Sequence, residues 1–342
     1  MNEGWWPGVI AFLVSIVASR WWIERKLARN EVEYPNKKQS QDNNATARLP
    51  VPRGAGWPIF LAIALGIWWL FPLDRQSVSI LAAMFLTVVV GALDDKRAVN
   101  PKWRLLTNIA AAVILIIGGM EIRILSNPLG GSPIMLDHWW WLSAGVTIFW
   151  VVGCMNAVGM GGGGVEGQLP GLMVISSIIV GLLGLKHSQD MTQWPVMWMS
   201  LLVGGAYLGW LPYNVEPQSL MPGYSGKSLG GLLLAIMAML SGAKLATILM
   251  VLAIPIFDSI MVAGRRWLAG RSPIKADGSH LHHQLLKMGW SRKKVVLFYW
   301  FSSAIFGAIS LGLDSRSKLY ALVGIFMVVL GSGWYFFRRN QP

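Results

Sequence analysis

Apolar stretches close to the length of a bilayer crossing recur along the whole chain, at about 7–23, 57–73, 77–93, 105–120, 139–158, 168–185, 193–212, 229–241, 244–264, 294–313 and 319–337. A helix needs roughly 20 such residues to cross the hydrocarbon core, where backbone N–H and C=O groups must be bonded within the segment. The chain is therefore expected to be an all-α polytopic membrane protein with about eleven transmembrane helices, forming one domain over 1–342. A composition of 54% hydrophobic and 13% charged residues excludes an ordinary soluble protein. The run at 229–241 is the shortest. The first run is preceded by Asn2 and Glu3 and followed by Arg20-Trp21-Trp22, which suits a retained helix better than a cleaved signal peptide.

Lys and Arg divide unevenly between the alternating gaps. The gaps after every odd-numbered run hold 22 and the others hold six: Arg75, Arg123, Lys186, Lys244, Arg316 and Lys318. The positive-inside rule then puts the loops beginning near 24, 95, 159, 213, 265 and 338 in the cytoplasm and the N-terminus outside. The largest are a cytoplasmic loop at 24–56 and another at 265–293. The net charge of +13 sits in these loops, so anionic lipid head groups and anionic substrates are the expected partners, and nucleic acid is not. The single cysteine, Cys154, rules out an internal disulfide.

Ionisable residues gather at the cytoplasmic ends of the runs. In "GALDDKRAVNPKWRLLTN" the adjacent acids Asp94 and Asp95 end an apolar run and meet four basic residues; at a helix end one acid can face a metal or acceptor while its neighbour pairs with Lys or Arg. Asp258 lies about two turns inside the ninth run, where a carboxylate needs a polar cavity or a partner. His280, His282 and His283 sit among Arg and Lys; 280 and 283 would share a helix face. No fourth zinc ligand is nearby, so the cluster is better suited to an anion such as a diphosphate. Four consecutive glycines at 161–164 allow close backbone approach to a ligand. "MPGYSGKSLGG" at 221–231 carries Gly-Lys-Ser but has Met221 where a Walker loop requires glycine.

In order along the chain, "PRGAG" at 52–56, "GALDDKR" at 91–97, "NAVGMGGGGVEGQLPG" at 156–171, "LPYNVEPQSLMPGYSGKSLGG" at 211–231, "PIFDSIMVAGRR" at 255–266 and "GRSPIKADGSHLHHQLLKMGWS" at 270–291 resemble the motifs of the polyprenyl-phosphate N-acetylhexosamine-1-phosphate transferases. The last block is most similar to the branch that initiates O-antigen, teichoic-acid or related glycans. The resemblance implies transfer of a sugar 1-phosphate from a UDP-sugar to a polyprenyl phosphate, with release of UMP, at the cytoplasmic face of the inner (plasma) membrane. It also implies Mg2+, or Mn2+ in its place, and leaves a homodimer open. On this reading Asp94, Asp95 and Asp258 are catalytic, and Asp94, Asp95 and Glu166 hold the metal. Arg53, Asn156, Asn214, Lys227, Arg271, His280, His282 and His283 bind substrate, the last three with Arg271 in the 265–293 nucleotide-sugar loop.

The chain departs from the family pattern at two places. Tyr224 stands where the family has a metal-binding aspartate, and Gly159 and Gly161 to Gly163 replace a segment that usually carries Asn and often Asp. Lys227 is a candidate to supply the missing positive charge. A rival reading is a non-catalytic relative that binds a lipid phosphate or a partner enzyme; a transporter would be expected to carry its acids at mid-membrane.

Overall fold

The computed structural model describes residues 4–32, 51–127, 131–136, 138–161, 163–186, 194–242, 245–268, 270 and 280–339. Among them are thirteen helices: α1 (Trp6–Ala28), α2 (Gly56–Leu70), α3 (Arg75–Lys96), α4 (Pro101–Ile117), α5 (Trp140–Gly161), α6 (Gln168–Lys186), α7 (Trp194–Asn214), α8 (Gly223–Leu240), α9 (Leu245–Val251), α10 (Ala253–Leu268), α11 (Leu281–Lys287), α12 (Arg292–Gly312) and α13 (Ser315–Arg339). The protein is an all-α polytopic membrane protein apart from one antiparallel hairpin, β1 (Ile124–Leu125) with β2 (Ile134–Met135). Side chains such as Val17, Trp69 and Phe149 point outward, as lipid-facing positions should.

Each of the eleven apolar runs falls on a helix or a helix pair, but the span count differs from the expectation. Among the described residues six helices are both long and apolar enough to cross a bilayer, or seven if α9 and α10 form one broken span. That pair bends by 80°. Pro255, in the first turn of α10, has no N–H to bond the carbonyl of Val251, so a straight helix cannot run through the junction. The loops expected at 24–56 and 265–293 are shorter than drawn: α1 continues to Ala28, α10 to Leu268, and α11 lies within the second.

The shortest run belongs to the innermost helix. Every residue of α8 from Leu229 to Ala238 is buried, so its apolar character serves protein packing rather than lipid contact. It packs against α5 and α3, and glycines set the approach. A Cβ at Gly231 would come 2.7 Å from the Cys154 carbonyl oxygen, and one at Gly91 would come 2.8 Å from the Ser225 Cβ. The first helix lies along α7 through Gly8, Gly205 and Gly209, the last two touching the Gly8 and Phe12 carbonyls, and Ser15 Oγ donates to the Ala206 carbonyl at 2.6 Å. Small residues of this kind let helices approach within a membrane.

Candidate active site

The N-terminus of α8 is the hub of the site. Asp95, in the last turn of α3, accepts hydrogen bonds from Tyr224 N at 2.6 Å, Ser225 N at 3.4 Å and Ser225 Oγ at 2.6 Å. A carboxylate at this position satisfies orphan helix donors and complements the positive end of the helix dipole. Gly223 has φ +63°, and a Cβ there would collide with both Asp95 oxygens. The segment at 51–55 is zipped onto the same corner: Met221 N donates to the Pro52 carbonyl at 2.9 Å, and Gly54 N and Ala55 N donate to the Met221 carbonyl at 3.3 Å. This fixes the backbone of Arg53, whose carbonyl also accepts from Trp22 Nε1.

Asp94 faces another way. Its Oδ1 accepts from Val99 N at 2.9 Å and from Arg104 Nε at 2.7 Å, with the carboxylate buried. The Arg104 guanidinium lies 4.9 Å over the Tyr224 ring, a cation–π contact. Beyond the ring, the Tyr224 hydroxyl donates to Asn108 Oδ1 at 3.3 Å and Ser228 Oγ donates to the same oxygen at 3.4 Å. Asn108 Nδ2 in turn donates to Asn156 Oδ1 at 3.4 Å. The phenol at 224 is thus packed between a guanidinium and an amide.

The glycine run after α5 gives room to two polar side chains from elsewhere. A Cβ at Gly163 would lie 2.9 Å from Lys227 Cε, and one at Gly164 would collide with the His282 ring. Gly162 lies outside the described residues. Gln168, fully buried, holds the loop: its Oε1 accepts from Gly164 N and Val165 N, and its Nε2 donates to the Gly161 carbonyl at 2.9 Å. Asn214 ties the next turn, accepting from Gly167 N and donating to the Leu220 carbonyl. Glu166 makes a buried ion pair with Arg292 at the start of α12.

Asp258 has the partners its depth demands. Its carboxylate, wholly buried, bonds His280 Nδ1 at 2.9 Å and accepts from Leu281 N at 2.9 Å, so it both orients His280 and caps α11. The histidines do not pair as the helical spacing suggests. His280 precedes the helix, so its ring stacks on His282 at 5.6 Å, and His282 lies 4.2 Å from His283. His282 is held well below the usual histidine range, first by burial and then by the charges of His283, His280 and Lys227.

These elements enclose a cavity of about 270 Å3 lined by Arg53, Asp94, Arg104, Glu166, Asn214 and Lys227 among others, with Gly159, Gly163, Gly164 and Tyr224 completing the wall. The structure therefore brings together five of the expected site residues: Arg53, Asp94, Glu166, Asn214 and Lys227. Asp95, Asp258 and Asn156 lie behind this wall as supports. His282 abuts it through Gly164, with His280 and His283 at its sides, and Arg271 lies outside the described residues. Arg104, Asn108, Gln168, Ser225 and Arg292 were not anticipated. Arg104 stands in the same basic stretch as Asp94, and Gln168 in the same glycine block as Glu166.

Asp94, Asp95 and Glu166, the expected magnesium ligands, are not grouped in the structure so as to share one ion. Each is already engaged, by Arg104 and Val99, by the α8 terminus, and by Arg292. Among the described residues no three His, Cys, Asp or Glu side chains are grouped so as to hold a metal. The Tyr224 phenol is a poor magnesium ligand near neutral pH.

The site is a glycine-walled cavity with three basic side chains, Arg53, Arg104 and Lys227, at the helix ends of an apolar bundle of the polytopic membrane class. The family model for glycosyl transferase family 4 matches residues 77–242, which contain Asp94, the glycine run and Lys227. Three relatives extend the likeness to most of the chain. A decaprenyl-phosphate N-acetylglucosaminephosphotransferase of Mycobacterium tuberculosis is 30% identical over 314 residues, covering 82% of this chain and 77% of its own. The protein of that description from Mycolicibacterium smegmatis is 28% identical over 94% of this chain and 85% of its own. A phospho-N-acetylmuramoyl-pentapeptide-transferase of Enterococcus hirae is 31% identical over 79% and 85%. The chain belongs to glycosyl transferase family 4, among the polyprenyl-phosphate N-acetylhexosamine-1-phosphate transferases.

Proposed function

We propose that the protein transfers an N-acetylhexosamine 1-phosphate from a UDP-sugar to a polyprenyl phosphate such as undecaprenyl phosphate, as the first step of a cell-envelope glycan. An oxygen of the acceptor phosphate attacks the sugar-bearing phosphorus of the donor. The bond from that phosphorus to the bridging oxygen breaks, and UMP leaves with the electron pair. A new diphosphate then joins lipid and sugar. The observation that carries this reading is the cavity itself, where Arg53, Arg104 and Lys227 meet at the end of an apolar bundle. Two anionic reactants need such positive charge, and phosphoryl transfer is chiefly a matter of positioning and charge neutralisation. Asp94 and Glu166 are the acids on the cavity wall, and the role of Asp94 is to hold Arg104 toward the bound phosphates. His280, His282 and His283, with Arg271, help to hold the diphosphate of the nucleotide-sugar.

The 22-to-6 division of Lys and Arg supports a cytoplasmic active face in the plasma membrane, with eleven crossings of the bilayer. The test is purified protein with undecaprenyl phosphate and radiolabelled UDP-N-acetylglucosamine or UDP-N-acetylgalactosamine. Labelled lipid should form, and Asp94→Asn should abolish it. No product from any of several UDP-sugars, with lipid-phosphate binding retained, would favour the non-catalytic relative.

A further inference from the structure

The cavity contains more cationic hydrogen-bonding capacity than its own acids use. Arg104 commits only Nε to Asp94, so its two terminal nitrogens form no hydrogen bond among the described residues. A guanidinium has five donors in a planar fork suited to phosphate. Lys227, half-buried against Gly163, makes no hydrogen bond or ion pair among the described residues. Its stem packs against Gly163, in a loop whose one acid, Glu166, is paired with Arg292. Tyr224 fixes the plane of Arg104 from below, and Asn108 fixes Tyr224. The Arg104 side chain is 35% exposed and Lys227 half-buried, and both line the open cavity, so an anion entering it can meet their uncommitted donors.

We infer that Arg104 and Lys227 bind the donor's diphosphate directly, in place of a divalent cation coordinated by Asp94 and Asp95. This rests on the transferase reading for the identity of the ligand but not for its chemistry. Tyr224 is then the residue that converts a carboxylate position into the seat of a guanidinium. The acids keep structural tasks: Asp94 anchors Arg104 and Asp95 anchors α8.

The test is calorimetric binding of UDP and of inorganic pyrophosphate to the purified full chain, in excess EDTA and in millimolar magnesium, beside Lys227→Gln and Arg104→Lys. Loss of a charge-assisted bond should weaken binding by about tenfold or more. Lys227→Gln orphans no partner, so its fold should be intact. Arg104→Lys keeps a cation for Asp94 while removing the fork. Both variants should bind less tightly than the parent, and the parent's affinity should differ by less than about threefold between EDTA and magnesium. Pyrophosphate binding that disappears in EDTA would overturn the inference, as would a Lys227→Gln protein that binds like the parent. Failure of the transferase reading would show separately, as absence of labelled lipid with EDTA-insensitive pyrophosphate binding intact.

Discussion

Asp95→Asn separates a structural carboxylate from a chemical one. In the native protein Asp95 receives two short hydrogen bonds, both 2.6 Å, and a longer one at 3.4 Å from the first turn of α8. Asparagine can still accept from Tyr224 N, and the Ser225 hydroxyl can rotate to accept from the amide, so geometry survives while charge is lost. A bond to a charged group contributes about 1 kcal/mol more than a neutral one, which gives about 2 kcal/mol for the two short bonds. The lost interaction with the helix dipole adds about 0.3–1 kcal/mol, and relief from burying a charge acts in the opposite direction. Because that relief offsets most of the loss, the expected net destabilisation is about 1 kcal/mol or less. Cys154 is the sole thiol and is buried, so a fluorogenic maleimide reports unfolding during a thermal ramp in detergent. The variant should unfold at lower temperature, yet bind UDP within a few-fold of the parent, because Asp95 does not line the cavity. Parent-like unfolding together with abolished turnover would refute the capping role and return Asp95 to the chemistry.

Gly164→Ala should cost about 1–3 kcal/mol, because its methyl would overlap a His282 ring already stacked on His280; the same thermal ramp with UDP titration checks it, and unchanged stability and affinity would count against the packing. Stability should rise with pH up to about 6.5, since the unfolded chain protonates His282 there while the folded protein, with its imidazole held lower, does not. His282→Gln should flatten that dependence, so equal slopes for parent and variant would remove His282 as its source. Tyr224→Asp should make pyrophosphate binding sensitive to EDTA by adding a carboxylate beside Arg104; insensitivity would mean that one ligand does not restore a metal site. On a Cys154→Ser background, Asp277→Cys should react with an impermeant maleimide only after the membrane is opened, and labelling in intact cells would reverse the proposed orientation.

The fold was legible because bilayer length and backbone satisfaction leave few options. Every apolar run became a helix except the ninth, which reads as one span and is a helix pair bent ahead of Pro255. What hydropathy could not show was which helix lies at the centre: α8 looked weakest as a span because it has little lipid to face. The site was legible as a set of clusters but not as a set of roles. Asp94 and Asp95 are neighbours whose tasks are set by Arg104, ten residues on, and by Tyr224 and Ser225, about 130 residues away. Spacing along a chain carries no record of that second pairing. Burial of Asp258 could be foreseen to require a partner, and helical spacing could not supply His280 because that residue lies just outside its helix.

The contact between α1 and α7 also bears on how the protein is made. Ser15 and Ser19 on α1 are completely buried, and the groove that receives α1 is formed by Gly205 and Gly209. The first helix emerges from the ribosome well before that groove exists, a delay on the order of 10 s at ordinary rates of synthesis. Throughout that interval Ser15 lacks the Ala206 carbonyl to which it donates in the finished protein. A nascent chain arrested before α7 would present Ser15 without that partner, a feature by which cellular surveillance could tell an unfinished copy from a completed one.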